Sequence, residues 1–336
     1  MGEDKHRRIL AAWYSDAGPP AGLRLLEAVY RRSMATRRRL YRRGLLRSGH
    51  PGRPVIVIGN LTVGGTGKTP LAIWLVERLT DEGVAAAVVS RGYGGRGASR
   101  PRRVRAEDDP VEVGDEPALM ARTTGAPVWV CADRLAAARA AVAGGADVVI
   151  CDDGLQHYAL ARDLEVAVVD GARGFGNGHL LPAGPLREPV ERLADVDVVV
   201  CNGGPRCPPG AVRMTLEGRT AVRLSDGRTR SLDEFASGPV HAVAAIGNPE
   251  RFFHMLEAAG LTIIRHPLPD HGEMPAEFLR DDHPGPVLMT AKDAVKCRRR
   301  PGHAWEVPVR ARLEDDGRRL MEKVMQVPGL GAEDSR

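Results

Sequence analysis

A chain of 336 residues with 43% hydrophobic, 27% charged and 4% aromatic residues reads as a globular protein long enough for two domains; its 39 glycines and 25 prolines follow no collagen-like period. No run of 18 or more apolar residues predicts a membrane span, and the opening MGEDKHRRILAAWYSDAGPP lacks the continuous apolar core and cleavage site of a secretory signal. The net charge of +5 conceals an asymmetry: residues 1–50 carry 12 Lys+Arg against 4 Asp+Glu, a net of +8, and the remainder a net of −3.

Residues 19–47 read as one helix, with Pro19 and Pro20 suited to its start. Leu23, Leu26, Tyr30, Met34, Tyr41 and Leu45 recur at helical spacings as one apolar stripe, with nine arginines between them. Three readings fit: a solvated charged helix, a nucleic-acid contact, or a helix lying in the headgroup plane of a membrane. No zinc pattern, aromatic-interleaved strand or reading helix accompanies the arginines, so nucleic acid is not expected as a partner. An apolar stripe flanked by cations favours an anionic membrane surface. The excess of 43 arginines over five lysines follows codon usage and alone implies nothing about nucleic acid.

From residue 54 the pattern becomes strands alternating with helices. The runs Val55–Ile58, Ala85–Val89, Val128–Cys131, Val148–Cys151, Val166–Val169 and Val196–Cys201 are apolar without alternation, as in parallel strands buried on both faces. Helical segments at Thr69–Thr80, Pro117–Thr123 and Arg134–Ala143 fall between them, which predicts a doubly wound, mostly parallel α/β sheet. Gly203–Gly210 (GGPRCPPG) marks a boundary. Beyond it, strands at Val240–Ile246, Leu261–Arg265, Val287–Thr290 and Ala304–Val309 and a helix at Pro249–Ala259 predict a second, smaller α/β unit. The expected division is thus a basic helical segment (1–50), a core (51–204), a smaller unit (205–330) and a disordered tail (331–336). The five cysteines form no C-x-x-C pair, and three of them close strand-like runs, so reduced, buried thiols are expected.

The strongest local signal is Val55-Ile-Val-Ile-Gly-Asn-Leu-Thr-Val-Gly-Gly-Thr-Gly-Lys-Thr-Pro70: a strand, a Gly-rich turn and a helix start. The backbone N–H groups of Thr62, Val63, Gly64, Gly65, Thr66 and Gly67, with the helix N-terminus, make an anion cradle. Lys68 would reach terminal phosphates, and the Thr69 hydroxyl would ligate Mg²⁺. Thr62 stands where the strict P-loop pattern has its first Gly. Asp152 and Asp153 close the run Val148–Cys151, at the sheet edge where ligands bind, and suit a Mg²⁺ role. Asp115-Glu116-Pro117 suits a helix start, with acids near the N-terminus and Pro in the first turn.

Eight motifs in order resemble the tetraacyldisaccharide 4′-kinase (lipid A 4′-kinase) family: GNLTVGGTGKTP (59–70), SRGYGG (90–95), VGDEP (113–117), CDDGLQH (151–157), GFGNGHLLPAGPLREP (174–189), IGNPERFF (246–253), PDH (269–271) and MTAKDAVKC (289–297). The resemblance covers most of residues 15–310. It implies a P-loop kinase that transfers the γ-phosphate of ATP to the 4′-hydroxyl of a lipid A disaccharide 1-phosphate, peripheral to the cytoplasmic face of the bacterial inner membrane. It implies Asp115 as the base, Glu116 at the metal, and His271 as the partner of Asp115. It places Arg91, Tyr93, Arg134, Gln156 and Asn177 as candidate substrate contacts; Arg91 and Tyr93 equally suit an ordinary flexible loop. Two departures stand out: Gly272 replaces a further His, and Ala291 replaces a Glu, leaving Lys292 and Asp293 as structural or nucleotide-proximal. The rival reading is a P-loop GTPase or ATPase of the metallochaperone or MinD-like type, for which Thr290-Ala-Lys-Asp293 is a base-reading candidate and Val63 stands where a MinD-like Lys would be.

Overall fold

The computed structural model describes Ile9, residues 12–15 and residues 18–330; the expected tail at 331–336 lies outside the described residues. The basic segment yields α1 (Ala21–Arg42). There follow β1 (Val55–Gly59), α2 (Lys68–Asp81), β2 (Ala86–Ser90), β3 (Arg102–Val104), α3 (Pro110–Val113), α4 (Asp115–Thr124), β4 (Val128–Val130) and α5 (Arg134–Ala143). Next come β5 (Val148–Asp152), β6 (Leu164–Asp170), β7 (Val198–Asn202) and β8 (Val212–Glu217). The remainder holds β9 (Thr220–Arg223), β10 (Thr229–Ser231), β11 (Val240–Ala244), α6 (Pro249–Ala258), β12 (Ile263–Pro267), β13 (Val287–Thr290), α7 (Ala291–Ala294), β14 (Ala304–Val307), β15 (Arg310–Leu313) and α8 (Arg318–Met325).

The first sheet has nine strands in the order β15-β8-β7-β6-β1-β5-β2-β4-β3. Its seven inner strands are parallel; β3 and β15 pair antiparallel at the two edges. Every residue of β1, β2, β5 and β6 is buried, as their unbroken apolar runs predict. On one face Ile56 and Ile58 pack with Leu71 and Leu75 of α2, Met120 of α4 and Leu320 of α8. On the other, Val55 and Val57 pack with Ala137 and Ala141 of α5. The alternation of inward and outward residues thus buries helices on both faces. β1 lies between β5 and β6, so the chain leaves it in one direction toward β2 and later returns on its other side, the place where such sheets open a ligand crevice.

The second sheet runs β10-β9-β14-β13-β11-β12, with four parallel strands and an antiparallel hairpin at one edge. It corrects the expected unit at 205–330. β8 before it and β15 after it both belong to the first sheet and pair with each other. Ala311, Leu313, Leu320 and Val324 enter the first lobe's core. The second lobe is therefore an insertion, and the chain returns to the first lobe to finish. Edge strands such as Arg310-Ala-Arg-Leu313 alternate polar and apolar residues, so a search for unbroken apolar runs passes over them.

Two other expectations change. The basic helix stops at Arg42, where Gly44 turns the chain with φ +68°. Its apolar stripe divides: Tyr30, Met34 and Tyr41 face the body, while Leu26 and Leu45 face outward with Leu25 and Val29. The docked face is held by a buried acid, Glu27, which accepts from the Leu180 N–H at 3.0 Å and from Arg31 and lies 2.8 Å from His179 Nδ1. Tyr30 donates to the Arg187 carbonyl at 3.0 Å. The expectation of five reduced thiols is corrected too. Cys201 and Cys207 form a disulfide, because Gly203 and Gly204, both at positive φ, fold Cys207 back over the end of β7 to a Cα–Cα distance of 5.6 Å. Cys131, Cys151 and Cys297 are free and buried.

Candidate active site

The turn from β1 into α2 builds the anion cradle. Gly67, at φ +100°, caps α2, and Lys68 and Thr69 open its first turn. A Cβ on Gly67 would stand 2.3 Å from Asn202 Nδ2, whose own amide donates to the Thr66 carbonyl at 2.9 Å, so the end of β7 clamps the loop from below. The Thr66 hydroxyl is buried and has no partner among the described residues, and Thr62 is buried. The Val63 N–H donates to the Pro185 carbonyl.

Asp152 ends β5 beside this turn. Its Oδ2 lies 3.5 Å from the Thr69 hydroxyl. Burial, and then the charge of Glu116, push its carboxyl up to about 7 against the opposing pull of Lys68. Asp153 follows at φ +50°, a left-handed conformation for a residue other than glycine. It is 3.5 Å from Lys68 Nζ and accepts from Arg187 at 3.0 and 3.1 Å. Burial pushes its carboxyl up, but Lys68 and Arg187 outweigh that and hold it well below the usual range. The two neighbouring acids differ in consequence. Asp153 is saturated with cations and fixes Lys68; Asp152, which accepts the Asp153 N–H at 3.0 Å, lies beside Thr69 and Glu116, an oxygen set suited to a hard divalent cation. No cluster of three or more His, Cys, Asp or Glu among the described residues is placed to hold a metal.

The second lobe closes over the cradle. Gly247 approaches so nearly that a Cβ there would meet the Gly65 nitrogen at 2.3 Å. Arg173 bridges the two lobes, donating to the Gly247 carbonyl at 2.8 Å and to the Gly65 carbonyl at 3.0 Å. Asp170, at the end of β6, aligns it through a 2.8 Å bond and also takes Arg251 and Asn248 of the second lobe. Between the lobes lies a cavity of about 190 Å³. Gly65 to Thr69 line one wall; Asn248, Phe252 and Met255 line another, with Glu116 and Lys292 beside them. Its walls thus carry the Gly-rich turn at one end and mostly apolar side chains at the other.

Beside Glu116 and Lys292, His271 Nδ1 meets Asp115 Oδ2 at 3.0 Å, across 156 residues of sequence. Gly114 at φ +94° starts α4 and buries Asp115 there. His271 itself sits at φ +61°, the second strained non-glycine residue of the site. The exposed Tyr93 ring lies edge-on to it at 5.1 Å.

The remaining candidates separate. Arg134 donates to the Asp153 carbonyl at 3.1 Å and pairs with His157. Gln156 donates to the Asn60 carbonyl and to Glu188, supporting the loop from behind. Asn177 is occupied within its own turn, donating to the Ala183 carbonyl and accepting from the His179 N–H. Arg91 is exposed at the start of the loop that carries Tyr93. Sequence reasoning missed Asp170, Arg173, Arg187, Asn202 and Gly247. Asp170 and Asn202 carried a usable signal, a polar residue closing an apolar strand; nothing local marks the others.

A family model described as tetraacyldisaccharide-1-P 4′-kinase matches residues 20–326. A tetraacyldisaccharide 4′-kinase of Pseudomonas aeruginosa is 48% identical over 300 residues, covering 89% of this chain and 90% of its own. One of Alkalilimnicola ehrlichii is 51% identical over 302 residues, covering 89% and 91%. The solved structure of LpxK from Aquifex aeolicus in complex with ATP matches 90% of this chain and 97% of its own, with a TM-score of 0.75 and 26% identity.

Proposed function

Given that the chain belongs to the tetraacyldisaccharide-1-P 4′-kinase family, we propose that Asp115 is the base of its reaction and His271 the group that aligns it. The reaction is transfer of the γ-phosphate of ATP to the 4′-hydroxyl of a tetraacyldisaccharide 1-phosphate, a step of lipid A biosynthesis. The observation that carries the assignment is the Asp115–His271 pair, 3.0 Å apart, beside Glu116 and Lys292, which line the cavity together with Lys68 and Thr69.

Phosphoryl transfer needs positioning, charge neutralisation and a group to receive the acceptor's proton. The turn 64–67 and the N-terminus of α2 hold the phosphates; the Val63 N–H, bonded to the Pro185 carbonyl, does not face them. Lys68, fixed by Asp153, faces the terminal phosphates. Asp115 Oδ1, the oxygen not engaged by His271, receives the hydroxyl proton. Thr69, Asp152 and Glu116 fit Mg²⁺, which when bound would neutralise charge on the β- and γ-phosphates. The GTPase alternative gains no support at Asp293. That carboxylate is fully buried and accepts from the Ala245 N–H and the Thr290 hydroxyl, so it is not free to read a base.

No helix among the described residues is long and apolar enough to cross a membrane. The substrate is nonetheless acylated, and α1 supplies a means to meet it: Leu25, Leu26 and Val29 are 71%, 54% and 60% exposed on a helix whose other side is docked to the body. With the flanking arginines they suit an anionic surface such as the cytoplasmic face of the inner membrane.

The test is transfer of labelled γ-phosphate from ATP to the disaccharide 1-phosphate. Lys68→Ala and Asp115→Asn should each lower turnover by about a hundredfold or more. Full activity in Asp115→Asn would refute the base assignment.

A further inference from the structure

Three polar side chains of the second lobe meet two acids of the first at one place, and the reading above gives only His271 among the three a role. Lys292 is the second residue of α7, which follows β13 directly. Its Nζ lies 3.1 Å from Glu116 Oε1, 3.5 Å from Asp270 Oδ1 and 3.5 Å from His271 Nε2. Held between these two carboxylates, the ammonium is a fixed positive charge.

An ammonium has donors only. A ring nitrogen that faces it must therefore offer a lone pair, since an N–H directed at a cation is repelled. Nε2 of His271 is that nitrogen, closer to the ammonium at 3.5 Å than to Asp270 Oδ1 at 3.9 Å, which leaves the ring proton on Nδ1. Nδ1 is the atom 3.0 Å from Asp115 Oδ2, where only an N–H makes a hydrogen bond to a carboxylate. The opposite tautomer would turn both contacts repulsive. Glu116 and Asp270 hold the ammonium from two other sides.

We infer that Lys292 is a positioning residue of the transfer reaction: facing Nε2, it fixes His271 as the Nδ1–H tautomer that aligns Asp115, and through Glu116 it ties the second lobe to the first in that geometry. The inference rests on the assignment of Asp115 as base.

The test uses the full chain labelled with ¹⁵N-histidine, with the His271 signals assigned from a His271→Gln sample. Two-bond ¹H–¹⁵N spectra should show His271 as the Nδ1–H tautomer in the native protein and as a mixture in Lys292→Met. Turnover in Lys292→Met should fall about tenfold to a hundredfold with the KM for ATP changed less than about threefold, and Lys292→Arg should restore part of it. Lys292→Gln serves if the Met variant does not fold. A Nδ1–H spectrum together with near-native turnover in the variant would overturn the inference. Asp115→Asn, run in parallel, separates the two claims: if it is inactive while Lys292→Met is native-like, only the role of Lys292 fails, and if it too is fully active, the base assignment fails.

Discussion

The approach of Gly247 to the phosphate-binding turn offers a sharp test of how the two lobes cooperate. In Gly247→Ala the new methyl carbon would lie 2.3 Å from the Gly65 nitrogen and 3.1 Å from Gly64 Cα, all of it backbone that has no rotamer to yield. Restoring an ordinary contact requires the lobes to separate locally by about 1 Å. The Arg173 bond to the Gly247 carbonyl, now 2.8 Å, would then pass beyond hydrogen-bonding range, while its bond to Gly65 at 3.0 Å stays. Loss of one charge-assisted bond costs about 1.5–3 kcal/mol of interlobe closure. A reacting geometry displaced by about 1 Å costs on the order of a hundredfold in rate. The assay is steady-state transfer with both substrates saturating, paired with a nucleotide-binding titration and a thermal melt. Turnover should fall about a hundredfold, nucleotide affinity several-fold, and melting little. Gly238→Ala, which meets nothing within 4 Å, is the control and should behave as native. A Gly247→Ala enzyme within twofold of native turnover would refute the idea that this contact sets the catalytic geometry.

Other expectations concern α1. Burial pushes the Glu27 carboxyl up, but the Leu180 N–H, His179 and Arg31 outweigh it, so its pKa lies below the usual 4.5. A depressed carboxylate stabilises the fold in full above its unfolded pKa and loses that contribution as pH falls below about 4.5. Glu27→Gln should therefore be about 1–3 kcal/mol less stable at neutral pH, with a flatter decline in acid, when unfolded by guanidinium at several pH values; parallel curves for the two proteins would count against it. Replacing Leu25, Leu26 and Val29 by Ser should weaken co-sedimentation with anionic vesicles while leaving the melting temperature unchanged, because all three side chains are exposed. Deleting residues 1–48 should weaken vesicle association further, and undiminished binding would rule α1 out as the contact.

Much of the first lobe is legible in the sequence because parallel strands buried on both faces must be apolar throughout. Val55–Gly59, Val148–Asp152 and Leu164–Asp170 meet that condition, and the phosphate turn follows from its glycines and Lys68. The edge strands do not: β15 alternates arginine with Ala311 and Leu313, and its membership in the first sheet depends on pairing with β8, some 95 residues earlier. The thiols were misread for a related reason. Five residues between Cys201 and Cys207 carry no bonding information until Gly203 and Gly204 bend the chain.

What the sequence determined by itself is therefore everything governed by local period and local chemistry: the alternating α/β pattern, the anion cradle, acids at strand ends and the basic charge of residues 1–50. What only the tertiary structure decided is which of these groups meet. Asp152 and Asp153 are adjacent and chemically identical, yet one is left to burial and a neighbouring acid while the other is surrounded by Lys68 and Arg187. Asp115 and His271 lie 156 residues apart and come within 3.0 Å because an inserted lobe folds back over the first. The apolar positions of α1 divide into a docked face and an exposed one only because Glu27 and Tyr30 find partners at residues 179–187. Hydrogen bonds reach about 3 Å and screened Coulomb interactions about 10 Å, so distance in space, not spacing in sequence, assigns each group its role.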